Sequence, residues 1–275
     1  MQAERKPPED FITWMIRLAI SEQKPWLPDP TALSKSLLPI EFASLHTTVL
    51  TGHSWMLDLL TMPASTTTFD LLSDEMKVHG PADGLGWSKP ALQSLIRLDS
   101  SIRESQRLSN FSDTLLERVV VSPAGLVLPG SDFLLPPGIH LTVNLEGTHH
   151  DESLYRNALA YNPLRYAHLC EEAMTTNTHQ QQQQQNSLIK PQTLGMVSTS
   201  NGHLAFGHGL HACPGRFFVA HELKLIMAHL LRSYEFRHGG QRPRSRWIGP
   251  LTVPPMGVCI EVRRRRKVGV SVDGS

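Results

Sequence analysis

The chain has 275 residues, 40% of them hydrophobic, and a formal net charge of +1. That is enough apolar material for one large domain or two smaller ones, and the near-neutral balance gives no electrostatic argument for a nucleic-acid or acidic partner. The three cysteines, Cys170, Cys213 and Cys259, suit a reducing compartment better than a disulfide framework.

The start, Met1 to Asp10, is polar and charged, without the apolar stretch of a signal peptide. No window approaches the ~20 apolar residues that span a bilayer. Pro8 to Ser21 then places Phe11, Trp14, Met15, Leu18 and Ala19 on one face, which predicts an amphipathic helix. Pro25 and Pro28 break it. Asp29 caps a second helix, with Pro30 in its first position and Pro39 inside it, running to about Met62 before Pro63. A shorter helix is expected over Thr66 to His79, closed by Gly80. Another begins at Ser88, with apolar spacing at Leu92, Leu95, Ile96 and Ile102. Near its end Glu104 and Arg107 lie three apart and share a face, a spacing at which carboxylate and guanidinium pair.

After Asn110 the character changes. Runs such as Val119-Val120-Val121 alternate with proline and glycine, predicting short strands and turns. His149-His150 lacks the i, i+4 spacing of a helical zinc pair and is read as loop surface. Gln180 to Gln185 is a low-complexity loop, and the polar stretch Thr175 to Ser187 around it adds little core. Pro214 to Leu231 predicts a helix with Pro214 in its first position and Leu223, Ile226, Met227 and Leu230 facing inward. The tail offers one strand, Gly257 to Val262, and then the basic run Arg263 to Lys267, read as a solvated end with membrane-surface contact as the alternative. The whole is a mainly α chain with small β sheets (α+β), a helical half followed by a mixed half.

The densest chemical signal is Phe206-Gly-His-Gly-Leu-His-Ala-Cys213-Pro-Gly-Arg216. A cysteine ends a glycine-rich loop directly before a helix, whose free N–H groups and positive dipole end favour a thiolate able to reach a metal. Gly207 and Gly209 permit backbone shapes closed to other residues and a close approach by a flat cofactor. A buried structural cysteine on a turn is the plainer reading of the same residue.

This loop resembles the heme-binding loop of the cytochromes P450, the heme-thiolate monooxygenases. The resemblance implies that Cys213 is the proximal ligand of a heme b iron, that Phe206 packs beside heme and sulfur, that His211 meets a propionate, and that Gly207, Gly209 and Gly215 shape the cradle. Asn162-Pro163-Leu164-Arg165-Tyr166 resembles the family's Pro-x-Arg-aromatic segment, which implies a buried triad of Glu104, Arg107 and Arg165. Phe42-Ala-Ser-Leu-His-Thr-Thr48 resembles the oxygen-activating stretch of the distal helix, with Thr47 in the alcohol position and His46 in place of the usual acid. Histidine can take up and release a proton near neutrality, so a relay through His46 and Thr47 is implied.

On this reading the chain is the C-terminal half of a cytochrome P450 fold. Residues 30–62 form the distal helix, 88–108 the Glu-x-x-Arg helix, and 111–174 small strands and the Pro-x-Arg segment. Residues 175–200 form a low-complexity loop, 201–231 the heme-thiolate loop with its helix, and 232–275 the C-terminal strands and basic tail. The family implies electrons from NADPH through a flavoprotein reductase, O2 and a small organic substrate as partners, and endoplasmic-reticulum membrane attachment through an anchor absent from this sequence; without one, a cytoplasmic location is expected. The Ala-Ser-x-His-Thr-Thr and Cys-Pro-Gly-Arg-Phe-Phe forms suggest the fungal secondary-metabolite type. Competing readings are a non-catalytic remnant, a heme-free interaction protein, and a heme-thiolate isomerase or dehydratase.

Overall fold

The computed structural model describes residues 8–24, 29–63, 67–81, 86–179, 193–237 and 239–265. The chain divides into two compact units, Met1–Val49 and Leu50–Ser275. In the first, α1 (Phe11–Ser21) starts at Asp10, whose carboxylate accepts from the Thr13 N–H at 2.8 Å. Ala19 is its one buried residue. Trp14 and Leu18, expected to face inward, are 56% and 44% exposed, as a unit with little surface to cover them requires. Asp29 then caps α2 (Pro30–Leu60) by accepting from the Ala32 N–H at 3.1 Å. The helix continues through Pro39 without ending. Its C-terminal turns, from Ser54 to Leu60, are buried all round and belong to the second unit.

The core of the second unit gathers Trp55 and Leu59 of α2, Leu72 and Met76 of α3 (Thr68–His79), and Leu98 and Ile102 of α5 (Ile96–Leu108). Leu223 and Met227 of α8 (Arg216–Ser233) complete it, with Met196 from the preceding loop. The single helix expected from Ser88 is two. Ser88 caps α4 (Lys89–Gln93), and the chain breaks at Ser94 and Leu95 before α5 begins. The reason lies in α3: the Glu75 carboxylate accepts from the N–H groups of Arg97 and Leu98 at 2.6 and 3.0 Å, satisfying the free donors that a new helix start leaves open.

The strands form pairs. β1 (Thr114–Val119) lies antiparallel to β4 (His140–Asn144), and β2 (Leu126–Val127) to β3 (Leu134–Leu135). β5 (Tyr234–Phe236) pairs with β8 (Val262–Arg264), and β6 (Arg246–Ile248) with β7 (Leu251–Val253). The β1–β4 register slips between Leu115 and Arg118, a bulge in which Leu116 adopts φ +61°. Two helices occupy ground read as strand or loop: α6 (Leu145–His149), capped by Asn144, and α7 (Arg165–His179). The helix α7 covers the start of the stretch expected as low-complexity loop; Gln180 to Gln185 themselves lie outside the described residues.

Three further expectations need correction. Pro214 sits in a turn, and α8 starts just beyond it at Arg216 with Gly215 as its cap. The inward face of α8 is Ala220, Leu223, Lys224, Met227, Ala228 and Leu231, so Ile226 is 43% exposed and Leu230 only partly buried; packing against both α3 and α4 sets this rotation. The last strand starts where the expected one ends and takes in Arg263 and Arg264 of the basic run: Arg263 pairs with Glu235, and Arg265 Nε, just past the strand, donates to the carbonyls of Leu231 and Tyr234, both at 3.2 Å; Arg266 and Lys267 lie outside the described residues. Among the described residues no helix is long and apolar enough to cross a membrane.

Candidate cofactor site around Cys213

Helix α5 carries Glu104 and Arg107 into the interior, both with fully buried side chains. The Glu104 carboxylate is gripped from two directions. Arg107 donates from Nε and Nη2 to its two oxygens at 2.9 Å each. Arg165, at the start of α7, donates from Nε to both oxygens at 3.0 Å. The Asn162 N–H adds a contact at 3.2 Å. Two guanidiniums on one carboxylate leave a surplus positive charge, and carbonyl oxygens receive it: His149 O accepts from Arg107 Nη1, and Arg156 O from Arg165 Nη1 at 2.8 Å. Burial works against the Arg107 charge, but hydrogen bonding and attraction from Glu104 outweigh it and hold its pKa above the ordinary value.

The cysteine loop is shaped mainly by its own backbone. The Cys213 N–H returns to Phe206 O at 2.8 Å, the Gly207 N–H to Leu204 O at 2.8 Å, and Gly209–His211 forms a 3-10 turn between them. Gly207 has φ +72°, and a side chain there would also press on Leu116 Cδ2 at 3.4 Å. Beside Gly209 (φ +71°) the space within 4 Å is open. Arg216 Nη1 donates to Cys213 O at 2.7 Å and pins the loop to the first turn of α8. Cys213 itself is a free, half-buried thiol, and a Cβ on Gly215 would stand 3.9 Å from its sulfur. Phe206 is partly buried against the helical core, whereas His211 is exposed.

His46 and Thr47 belong to the first unit. Both bond back onto their own helix: Thr47 Oγ1 donates to Ala43 O at 2.6 Å, and His46 Nδ1 lies 3.1 Å from Phe42 O. Ser44 does the same toward Glu41 O at 3.2 Å. Three successive carbonyls thus carry an extra partner within an unbroken α2.

Sequence reasoning missed the residue that links triad and loop. His149, read as loop surface, is fully buried at the end of α6. Its backbone oxygen takes Arg107 Nη1, while its ring Nε2 accepts the Leu204 N–H at 2.9 Å. Burial first, and then the Arg107 charge, push its pKa down to about 3. His203 stacks on it at 5.3 Å and is itself buried, its pKa pushed well below the ordinary value by burial and by Arg103. Neither ring nitrogen of His203 has a hydrogen-bond partner among the described residues. Among those residues no three histidine, cysteine or carboxylate groups gather into a metal cluster.

Comparison with known proteins agrees with this architecture. The family model for cytochrome P450 matches residues 1–258. The chain is 32% identical over 272 residues to cytochrome P450 monooxygenase gloP of Glarea lozoyensis, covering 96% of this chain and 48% of that protein. It is 30% identical over 266 residues to cytochrome P450 monooxygenase 103 of Postia placenta (96% and 48%), and 31% identical over 272 residues to cytochrome P450 monooxygenase pbrC of Penicillium brasilianum (95% and 47%). The chain belongs to the cytochrome P450 family. It spans about half the length of the curated relatives it matches.

Proposed function

We propose that the protein is a heme-thiolate monooxygenase acting on a small organic substrate, of the type used in fungal secondary-metabolite biosynthesis. The observation that carries this reading is Cys213: a free, half-buried thiol at the end of a loop folded on its own backbone, beside open space at Gly209. These residues fit a heme. Thiolate is the soft donor that iron takes here, and the glycine backbone leaves clearance for a flat macrocycle.

When bound, the heme supplies the activation of O2 with two electrons from NADPH through a flavoprotein reductase, one oxygen atom entering the substrate and the other leaving as water. The rest falls to the protein. Cys213 Sγ would hold the iron, and the Arg216 bond to Cys213 O fixes the backbone that would present it. Exposed His211 would serve a propionate, with Phe206 packed against the helical core. Thr47 Oγ1 and the His46 ring, held on α2 by their bonds to Ala43 O and Phe42 O, are the proton-relay groups that the Ala-Ser-x-His-Thr-Thr form supports. The triad of Glu104, Arg107 and Arg165 ties α5 to α7. The fungal relatives and the Cys-Pro-Gly-Arg-Phe-Phe form support the metabolic assignment.

The test is a reduced carbon-monoxide difference spectrum of the chain expressed with heme. A strongly red-shifted Soret band that Cys213→Ala abolishes is the expected result. A band typical of histidine-ligated or free heme would reject the thiolate site. A second reading, a family remnant that no longer holds heme, is favoured by apolar side chains left exposed, among them Leu210 at 95% and Phe218 at 69%. Absence of any heme band would support that remnant.

A further inference from the structure

We propose that His149 is a positioning residue: one buried side chain that ties the base of the cysteine loop to the Glu104–Arg107 pair. Its importance for the heme site rests on the function proposed above; the tether itself does not.

The argument begins with what each group can do. A backbone N–H only donates, so Leu204 N, at 2.9 Å, requires His149 Nε2 to accept and therefore to carry no proton. The imidazole must then be neutral, with its proton on Nδ1. The Asn110 side-chain atom 3.0 Å from Nδ1 also faces the Gln106 and Arg107 carbonyls at 2.6 and 2.9 Å, which only the amide NH2 satisfies, so Asn110 is no evidence for this tautomer and the Leu204 N–H alone carries it. The same residue's carbonyl receives Arg107 Nη1. Leu204 in turn accepts the Gly207 N–H at 2.8 Å, the first internal bond of the loop that ends at Cys213. A continuous run of hydrogen bonds therefore leads from the Glu104 carboxylate through Arg107, His149 and Leu204 to Gly207.

The surroundings reinforce the neutral form. Arg103, Arg107 and His150 are the cationic or titratable groups that face the ring with His203, which covers one face at 5.3 Å. Tyr166 approaches the edge of His203 at 6.2 Å. The His203 backbone is fixed by a reciprocal pair with Ser200, its N–H to Ser200 O at 3.1 Å and the Ser200 N–H to His203 O at 3.0 Å. A phenylalanine at 149 would fill the same space but leave the Leu204 N–H without an acceptor. A glutamine would bring a side-chain oxygen able to take that N–H.

Amide hydrogen exchange on the full chain reads the tether directly, with or without heme. His149→Phe is expected to speed exchange of the Leu204 and Gly207 amides about tenfold, with Leu98 and Ile102 in α5 still protected. His149→Gln should restore most of that protection. Equal protection of Leu204 in His149→Phe and the parent would overturn the proposal. Should His149→Phe fail to fold, nitrogen NMR of the parent decides: a protonless Nε2 on His149 at neutral pH supports the tether, and a protonated Nε2 overturns it. In the heme-loaded chain, His149→Phe should convert part of the red-shifted carbon-monoxide band to the blue-shifted form, and His149→Gln should reverse this. A parent without any thiolate band would sink the proposed function while leaving the exchange result standing.

Discussion

Arg165 Nε stands 3.0 Å from both oxygens of Glu104, the same two that the Arg107 Nε and Nη2 fork meets at 2.9 Å. One buried anion thus serves two cations brought from α5 and α7. Glu104→Ala strands Arg107 with no charge partner in a site where its side chain has no solvent contact. We expect a loss of about 3–5 kcal/mol, measured as a lower urea midpoint. Glu104→Gln, which keeps the shape but not the charge, should fall between.

Acid should weaken the fold through His149. Its pKa is about 3 in the folded chain against 6.5 for a free histidine. The unfolded chain therefore binds the proton more readily. The stability that neutral His149 contributes is complete above about pH 6.5 and is lost as pH falls toward 3. The loss from this residue amounts to about 2 kcal/mol at pH 5. Buried Asp58 and Glu75 have raised pKa values and act in the opposite direction. Subtracting the pH profile of His149→Gln from that of the parent cancels them, and the difference should have this sign.

Arg242 and Asp58 define a separate test. The Asp58 carboxylate, on α2, accepts from Ser105 Oγ at 2.6 Å and Ser109 Oγ at 2.9 Å and pairs with Arg242 Nε at 2.6 Å. Arg242→Ala leaves the anion buried with hydroxyls alone, at a cost of about 3 kcal/mol near neutrality. Because protonation of Asp58 removes the need for a cation, the difference from the parent should shrink as pH falls. Paired denaturation curves at two pH values check this.

The three thiols should react in an order set by access. Cys259 is exposed, Cys213 half-buried and Cys170 buried. Alkylation of the heme-free chain, followed by peptide mass spectrometry, should label Cys259 and Cys213 before Cys170. Adding heme should protect Cys213 selectively. Continued labelling of Cys213 in a heme-saturated sample would contradict its role as ligand.

Thr47→Ala, in a reductase-supported assay, should lower product formed per NADPH consumed, with Thr47→Ser restoring it. General acid–base groups commonly contribute about 10²–10⁴-fold, so even a partial relay gives a measurable change. Unchanged coupling would remove Thr47 from the proton path.

Local signals were the readable ones. The Cys213 loop, the Asp29 and Ser88 caps, and the Glu104–Arg107 spacing each lie within one or two helical turns of sequence. What escaped depends on distant partners. The break before α5 answers to Glu75 on another helix. His149 is buried by Leu204 and His203, far along the chain, and a five-residue helix shows no periodicity to announce it. The inner face of α8 shifted because α3, α4 and α5 all pack against it. Adjacent histidines carry no i, i+4 signal, and the bond that His149 accepts comes from an N–H 55 residues away.

Leu116, at φ +61°, is held in a conformation that costs about 1–3 kcal/mol, and its side chain borders Gly207. Glycine at 116 would relax the backbone and remove that neighbour in the same step. Selection for thermal tolerance alone would therefore favour a change that leaves the cysteine loop less confined, and a hardier protein with a looser Cys213 loop is the foreseeable product.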